Sequence, residues 1–312
     1  MEWQQIIGFY NVAKLGSFTR AAEATFRTQS ALTHQVRALE TELDCFLFER
    51  VGKRSILLTA AGEKLYSFAE MLIDRHTSLI EEIEETKGIK SGRLKVAAPF
   101  TTLYHLLPSV IGRYKKQFPW VEFTILDRSQ RSVIQLLKGG DIDLGIVLES
   151  QVPKELTSVR WQETFTVLIV AKGHPLAKEK QVSMEKVARY PLILPPKGIE
   201  FYGRGRLDEL FSRLRLDYRV VMETSNVELS SVYSEMGLGV AFATIVKKPS
   251  IAKDRNIVFV PLSHYFDPEY LVIAMRKDRV LSSFKQAFLD LLLGKRQGMN
   301  RRRVRESLSR DS

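Results

Sequence analysis

One short stretch of the chain, residues 28–43, separates two kinds of side chain by helical spacing. The polar members carry hydroxyl, amide, imidazole or guanidinium groups, and they are Thr28, Gln29, Ser30, Thr33, His34 and Arg37. The apolar members are Leu32, Val36, Leu39 and Leu43, which recur at steps of three and four residues. Groups of the first kind hydrogen-bond the donors and acceptors that base edges present in a DNA major groove. We therefore expect a helix that packs through its apolar side and presents a reading surface on the other.

A basic hairpin is expected directly behind this helix. Residues 48–50 and 56–58 are strand-like runs joined by VGKRS, in which a glycine favours a tight turn. Arg50, Lys53 and Arg54 would then lie along phosphates or in the adjacent minor groove. For an isolated amphipathic helix, a solvated polar face is the simpler interpretation. Arg20 and Arg27 add to the positive charge around the motif and favour a nucleic-acid surface.

The overall charge supports this interpretation only weakly. The chain carries a formal net charge of +11, and residues 295–312 contribute +5 of it, which leaves +6 for the remainder. We expect this tail to be disordered and to add at most nonspecific attraction for DNA.

A second set of polar residues follows predicted strands in the rest of the chain. Ligands of α/β domains bind beyond the carboxyl ends of the strands, where helix N-termini offer free N–H groups to anions. The candidates for binding a small effector there are Thr101, Thr102, Ser129, Gln130, Lys197, Gly198, Tyr202, Thr224 and Asn226. Each hydroxyl or amide among them is individually more typical of a helix N-cap, and their convergence is what favours a site.

Enzyme chemistry finds no support in the sequence. No nucleophile lies near a base, no carboxylates are paired, and the five histidines lack metal-ligand spacing. Cys45 is the single cysteine, which excludes an internal disulfide and suggests a buried small hydrophobe. Gly203 and Gly205 form a G-x-G without the third glycine of a dinucleotide site. We predict no metal and no cofactor, and the absence of a signal sequence or a long apolar run predicts a cytoplasmic protein.

Several short elements would position the reading helix. A first helix is predicted over residues 3–14, and Ser17 would cap a second one with a small-residue face. Thr59 would cap a long helix whose seam, at alternating steps of four and three residues, is typical of a coiled coil. That seam consists of Leu65, Ala69, Leu72, His76, Leu79, Ile83 and Thr86. Packing on its own domain is the alternative, but we expect a dimer helix, with His76 as a register-setting polar site.

The remainder alternates strands with helices, which predicts a parallel sheet divided between two α/β lobes. The glycine- and serine-containing KGIKSG, residues 87–92, marks a linker before it. The predicted units are a DNA-binding domain (1–58), a linker helix (59–87), lobe 1 (92–161 and 266–294), lobe 2 (162–265) and the basic tail (295–312).

The N-terminal motif resembles the winged helix-turn-helix of LysR-type transcriptional regulators from Ser17 onward. The matching positions are Ser17-Phe18, Ala21-Ala22, Gln29, Ala31-Leu32, Leu39-Glu40, Leu43, Leu47-Phe48, Arg50, Leu58-Thr59 and Ala61-Gly62. The similarity continues with HPLA at 174–177, YPLI at 190–193 and GLGVAF at 237–242. The segments TTLYHLLP and YGRGRLD faintly resemble the branch that controls cysteine and sulfur metabolism, whose effectors are small and oxygen-rich.

This resemblance implies a two-lobed fold like that of periplasmic binding proteins, with a small polar or anionic effector between the lobes. It favours Thr101, Thr102, Ser129 and Gln130 as effector-binding residues. It also implies double-stranded DNA and RNA polymerase as partners, and a dimer through the linker helix that assembles further into a tetramer.

The chain departs from the family pattern at Thr25, Arg27 and His34, and an imidazole at position 34 cannot make the bidentate guanine contact of an arginine. Two other classes of protein are alternatives to a regulator of this family. An exported solute-binding protein would need a signal sequence, and an architectural DNA-binding protein would not need hinged lobes.

Overall fold

The computed structural model describes residues 1–51, 55–88, 91–179, 181–198, 202–246, 255–277, 279 and 281–294. For Arg50, Val51, Ser55, Glu85 and Tyr202 it describes the backbone only. The chain forms two compact units, and the boundary between them lies between Ile89 and Lys90. None of the described helices combines the length and apolar character that crossing a bilayer requires.

The first unit is mainly helical. Its helices are α1 (Trp3–Leu15), α2 (Phe18–Ala24), α3 (Gln29–Leu43) and α4 (Ala60–Thr86), and its strands are β1 (Phe48–Val51) and β2 (Ser55–Leu58). Gly16 ends α1 in the left-handed region at φ 60°, and the Ser17 hydroxyl caps α2 by accepting the N–H of Arg20. The predicted helix boundaries and the hairpin of the first unit are therefore confirmed, since β1 and β2 pair antiparallel.

The core of the first unit holds α3 in place. Phe9 of α1, Val36 and Leu39 of α3, and Leu65 of α4 are buried together in one apolar cluster. Leu43 was expected to continue this buried stripe, but it is 39% exposed. The stripe ends one turn early because α3 itself ends at Leu43, where Asp44 takes a left-handed conformation at φ 49°.

Helix α4 differs from the predicted free seam in its first half. Leu65 and Ala69 are buried, and the Tyr66 ring stacks on Tyr10 of α1 with ring centroids 5.4 Å apart. The ring of His76 also lies against Trp3, at 4.7 Å. The start of the seam thus packs on its own unit, as in the alternative to the dimer helix. Apolar side chains remain exposed on α4 at Phe68, Met71, Leu79, Ile80 and Ile83.

The second unit contains a mixed sheet with helices on its faces. Its strands are β3 (Arg93–Ala98), β4 (Glu122–Asp127), β5 (Leu144–Leu148), β6 (Leu156–Ala171), β7 (Leu192–Leu194), β8 (Val220–Glu223), β9 (Val240–Val246), β10 (Ile257–Pro261) and β11 (Glu269–Arg276). Its helices are α5 (Phe100–His105), α6 (Leu107–Gln117), α7 (Gln130–Lys138), α8 (Met184–Val187), α9 (Tyr202–Arg213), α10 (Val227–Glu235) and α11 (Ser283–Leu292).

One strand runs through both halves of this sheet. The described strands run in the order β4-β3-β5-β11-β6-β9-β7-β8, and β10 pairs with the far end of β6. We call the half built on β3, β4, β5 and β11 lobe 1, and the half built on β7, β8, β9 and β10 lobe 2. Strand β6, at 16 residues, pairs with β11 in lobe 1 and with β9 and β10 in lobe 2.

The expectation of a parallel sheet holds for only three strands in each lobe. Strands β3, β4 and β5 are parallel, as are β7, β8 and β9. In contrast, β11 runs antiparallel to β5 and β6, and β6 runs antiparallel to β9. The reversal follows from the connectivity, because β6 leaves lobe 1 for lobe 2 and β11 returns. Each lobe has its own apolar core, which includes Val133 and Val272 in lobe 1 and Leu168 and Phe211 in lobe 2.

Candidate nucleic-acid and effector sites

Helix α3 presents the predicted polar face away from its unit. Thr28 is the N-cap, and its hydroxyl accepts the N–H of Ala31 at 3.2 Å. The side chains of Gln29, Ser30, His34 and Arg37 are exposed, and Thr33 is half-buried. Because Leu32, Val36 and Leu39 are buried on the opposite side, the helix cannot rotate to bury its polar face without exposing its apolar one.

Internal hydrogen bonds narrow what this face offers a ligand. The Thr33 hydroxyl donates to the Gln29 carbonyl at 2.8 Å, so its oxygen lone pairs remain as acceptors. The Gln29 side-chain oxygen accepts the hydroxyl of Thr19 at 3.3 Å, so the N–H groups of its side-chain amide remain as donors. Arg37 supplies guanidinium donors. The face therefore combines hydroxyl acceptors with amide and guanidinium donors.

Arg27 does not belong to this face, although it was grouped with the basic residues of the motif. Its guanidinium donates to the side-chain oxygen of Gln35 at 3.2 Å and to that of Gln4 in α1. The side chain is half-buried, and its two hydrogen bonds join the segment before α3 to α1 and α3.

The hairpin follows α3 in the position expected for a wing, but most of its basic side chains are not among the described residues. Phe48 of β1 and Leu58 of β2 pack against the core that holds α3. The side chain of Arg50, and Lys53 and Arg54 altogether, lie outside the described residues. Their contacts with DNA phosphates stay a prediction.

A cavity of about 290 Å³ lies between the two lobes of the second unit. Both lobes contribute to its lining, and β6 and β9 cross it with Thr164, Thr166 and Thr244. Six of the nine sequence-predicted effector residues line it, namely Thr101, Thr102, Ser129, Gln130, Thr224 and Asn226. The structure therefore brings together side chains from three separate strand-to-helix segments.

The other three predicted effector residues are not part of the lining that is described. Lys197 and Gly198 are exposed and lie outside the cavity. The side chain of Tyr202 lies outside the described residues, although its backbone begins α9. Pro195 of the same loop does line the cavity, and the next described lining residues along the chain are Gly203 and Arg206 of α9.

Two helices point their N-termini at the cavity from opposite lobes. Ser129 caps α7 by accepting the N–H of Ser132 at 3.3 Å, and Asn226 caps α10 by accepting the N–H of Leu229 at 3.0 Å. Both residues therefore act as N-caps and line the cavity at the same time. Each helix N-terminus contributes a partial positive charge that favours an anion.

The remaining polar groups of the cleft are already held in place. The Gln130 side-chain oxygen accepts the N–H of Leu148 at 2.7 Å, so its amide group is fixed as a donor. The hydroxyls of Thr224 and Ser230, both buried, are 2.6 Å apart and hydrogen-bonded. These contacts fix the rotamers before a ligand arrives.

Arg206 is the cation of the cavity, and sequence reasoning missed it. Its Nη1 lies 3.4 Å from Oε2 of Glu269, and its guanidinium lies over the Phe266 ring at 5.3 Å. Oε1 of Glu269 accepts the N–H of Ser150 at 3.1 Å, so this carboxylate links Arg206 of lobe 2 to the lobe 1 backbone. The signal that could have found Arg206 is helical spacing, because Gly203, Arg206 and Leu207 form one face of α9 that lines the cavity.

A second polar link crosses the cleft. His105 of α5 lines the cavity and contacts the carboxylate of Glu228 in α10 through Nε2. No aspartate or glutamate is among the described residues that line the cavity, whereas Arg206 and His105 are. The arrangement of one guanidinium, two helix N-termini and many hydroxyls suits a small anion rich in oxygen atoms.

Comparison with protein families matches both units of the chain. Residues 3–63 match the model of the bacterial regulatory helix-turn-helix protein, lysR family, and residues 87–297 match the LysR substrate binding domain.

Individual proteins match over most of their length. The chain is 30% identical over 273 residues to the HTH-type transcriptional regulator CysB of Haemophilus influenzae, covering 87% of this chain and 83% of that protein. It is 27% identical to the HTH-type transcriptional regulator cbl of Escherichia coli, covering 88% and 86%. Among solved structures, full-length OxyR from Pseudomonas aeruginosa matches with a TM-score of 0.65 at 20% identity, covering 94% of this chain and 97% of that one, which shows a shared fold.

Proposed function

The chain belongs to the LysR family of transcriptional regulators, and from that premise we propose which of its residues read DNA and what its effector is. It is a regulator with a helix-turn-helix DNA-binding domain and an effector-binding domain, not an enzyme. LysR regulators bind DNA and small-molecule effectors and form oligomers. The residues, the effector class and the mode of assembly given below are inferences about this chain.

For the DNA-binding surface, we propose that α3 enters the major groove with its polar face toward the bases. The residues assigned to it are Thr28, Gln29, Ser30, Thr33, His34 and Arg37, with Arg50, Lys53 and Arg54 of the wing on the phosphates. The observation that carries the proposal is the exposed polar face of α3 opposite its buried Leu32, Val36 and Leu39. A recognition helix requires this division of faces.

For the effector, we propose a small oxygen-rich anion. Its charge would be balanced by Arg206 and by the N-termini of α7 and α10, and its oxygen atoms would accept hydrogen bonds from hydroxyls such as Thr102. A cavity of about 290 Å³ has room for a small molecule only. The absence of acidic side chains from the described lining is the observation that favours an anion over a cation.

The proposed mechanism uses the two lobes as a two-state element. An anion that contacts Thr101 or Ser129 of lobe 1 and Arg206 of lobe 2 would favour a more closed cleft. The lobes are joined by β6, which pairs in both, and by the return of the chain from β10 to β11, so closure would bend these two connections while each lobe keeps its own core. The proposed output is a change in how paired DNA-binding units are presented to the operator.

The wider organisation is part of the same proposal. We assign residues 1–58 to the DNA-binding domain, 59–87 to a dimerisation helix, 92–161 with 266–294 to lobe 1, 162–265 to lobe 2 and 295–312 to a basic tail. The exposed apolar residues in the second half of α4, such as Leu79 and Ile83, support a homodimer through that helix. Further assembly into a tetramer, contact with RNA polymerase and a cytoplasmic location complete the proposal.

The experiment measures DNA binding by fluorescence anisotropy with the full-length protein. A duplex selected from a random pool with the wild-type protein serves as the specific probe, and a scrambled duplex serves as the nonspecific one. Arg37→Ala should weaken specific binding about 10- to 100-fold, because a bidentate base contact contributes that much discrimination. Thr33→Ala should weaken it less, and binding to the scrambled duplex should hardly change.

Arg189→Ala is the matched control, since Arg189 is an exposed arginine of lobe 2. It removes the same charge and should leave specific binding unchanged. Equal losses on specific and scrambled DNA for Arg37→Ala would assign this residue to phosphate contact and refute the proposed base reading.

A further inference from the structure

Phe26 lies at the turn between α2 and α3, and its side chain is 98% exposed. It precedes Thr28, the N-cap of α3, by two residues. A single exposed apolar side chain needs no explanation by itself. The backbone at this position makes it unusual.

The backbone of Phe26 is left-handed, at φ 53°. It occupies the residue after the C-cap of α2 in a Schellman motif. Its own N–H donates to the Glu23 carbonyl at 3.3 Å, and the N–H of Arg27 donates to the Ala22 carbonyl at 2.9 Å. Glycine is the usual residue there, because a side chain with a Cβ atom is strained in the left-handed region.

The phenylalanine side chain at this position therefore does not stabilise the fold. It has no covering contacts to offset the backbone strain, and an exposed ring is poorly solvated. Glycine ends α1 at Gly16, at φ 60°, whereas Asp44 and Arg215 are polar residues that take the left-handed conformation; Phe26 differs from both because its side chain is large, apolar and almost fully exposed. A strained residue without a folding benefit points to a function at its own position.

We propose that Phe26 is an apolar DNA-contact residue that extends the reading surface of α3 beyond its N-terminus. This inference rests on the proposed major-groove position of α3. Phe26 leads directly into the first residues of that surface, Thr28 and Gln29, so it is continuous with a surface of known partner class.

DNA offers apolar contact from two sources near a recognition helix. One is the C5-methyl group of thymine, which is the apolar group of the major groove. The other is the deoxyribose ring beside the phosphates. Either contact covers the exposed ring and excludes water from it, and each predicts a different response to the DNA probe.

Substitution of Phe26 by glycine should have opposite effects on stability and on binding. In the full-length protein, Phe26→Gly should raise the melting temperature of the transition that unfolds the DNA-binding unit by about 4 °C, because strain is relieved. The same variant should weaken binding to the selected duplex about tenfold, because the apolar contact is lost. Phe26→Tyr keeps the ring, so it should show neither the stability gain nor the binding loss.

Arg215→Gly is the matched control. Arg215 follows the C-cap of α9 at φ 53° in the same motif, with its N–H donating to Ser212 and the N–H of Leu216 donating to Phe211. This variant should stabilise the effector unit and leave DNA binding unchanged.

The source of the contact is tested with duplexes in which deoxyuridine replaces single thymines. If Phe26 contacts a methyl group, wild-type binding weakens at that thymine and Phe26→Gly binds both duplexes equally. If it contacts a deoxyribose, Phe26→Gly loses affinity on every duplex. Each single replacement then changes the affinity of the wild type and of Phe26→Gly by the same factor.

Two results would overturn the inference. One is a stabilised Phe26→Gly protein with wild-type affinity, and the other is a destabilised one, which would make Phe26 a folding residue. A loss at Phe26 together with unchanged binding of Arg37→Ala and Thr33→Ala would instead refute the base-reading role of α3 alone, so the two proposals fail separately.

Discussion

The reading face of α3 and the cleft of the effector unit are both rich in polar side chains, but they hold them differently. On α3, His34 and Arg37 are exposed to solvent. In the cleft, Gln130, Thr224 and Asn226 are each hydrogen-bonded to neighbouring backbone or side-chain groups. Under the proposed function, the first surface gains its partners from DNA, whereas the second is hydrogen-bonded within the protein before a ligand binds.

This difference separates binding from stability. Exposed groups gain their partners only when DNA replaces water, so their removal should change affinity and leave folding almost unaffected. Groups in the cleft serve two purposes, because the same hydrogen bonds that orient them also join strands and helices of the lobes. Their removal should change both ligand affinity and stability.

The largest expected effect is the loss of anion affinity when the positive charge of the cleft is removed. Arg206→Gln should weaken binding of the effector anion about 100-fold, because a charge-assisted contact to an anion is lost in a partly enclosed site. Inorganic sulfate is a suitable first probe, measured by isothermal titration with the full-length protein. Loss of the link between Arg206 and Glu269 should also loosen the junction between the lobes.

Lys197→Gln is the matched control for the loss of a positive charge. Lys197 is exposed and lies outside the cavity lining, although it was the cation predicted for the site from the sequence. It should bind sulfate like the wild type. A larger loss at Lys197 than at Arg206 would reverse the assignment of the cation.

The same chemical change at two threonines tests the comparison directly. Thr224→Val removes the buried hydroxyl that is 2.6 Å from Ser230, and it should lower the free energy of unfolding of the effector unit by about 1–2 kcal/mol. Thr33→Val on α3 should change stability by less than about 0.5 kcal/mol, since it lies on the outer face. Urea denaturation measures both variants.

Binding should show the opposite order for this pair. Thr33→Val should weaken binding to the selected duplex, and Thr224→Val should leave it unchanged in the absence of effector. Equal stability losses for the two variants would show that the reading face is as integral to its fold as the cleft is, and would remove the distinction.

The elements of the first unit could be predicted because their signals are local. Ser17 and Thr28 cap the helices that follow them, and Gly16 ends α1. Leu43 was the exception, because periodicity extends a stripe to the end of a helix without showing where the core ends. The sequence also placed Arg27 wrongly on the basic surface, because its partners Gln4 and Gln35 lie in α1 and α3 and local spacing does not reveal these contacts.

The cleft could be predicted only in part, because its residues converge from distant segments. The rule that ligands sit at strand ends located Thr102, Ser129 and Asn226. It selected Lys197 and missed Arg206, because the contribution of Arg206 depends on which face α9 turns toward the cavity. The threonines of β6 and β9 were missed because they lie within strands, and the antiparallel crossing that brings them to the cavity is a property of topology.

The smallest expected effect concerns a histidine that caps a short helical turn in lobe 2. Nδ1 of His174 accepts the N–H of Leu176 at 3.2 Å, and burial lowers the pKa of this imidazole below its ordinary value. The native state thus favours neutral His174, whereas the unfolded chain takes up a proton near pH 6.5. The resulting stability is fully present above about pH 6.5 and is lost as the pH falls through the lower native pKa.

His174→Asn separates this titration from the capping hydrogen bond, because the asparagine side-chain oxygen also accepts an N–H at an N-cap. The variant should lose the part of the stability decrease that wild-type protein shows between about pH 6.5 and pH 5, measured by urea denaturation at each pH. An unchanged pH dependence would mean that His174 takes up its proton equally readily in the native and unfolded states. Its contribution to stability would then resemble that of the solvent-exposed groups of α3 more than that of the hydrogen-bonded groups of the cleft.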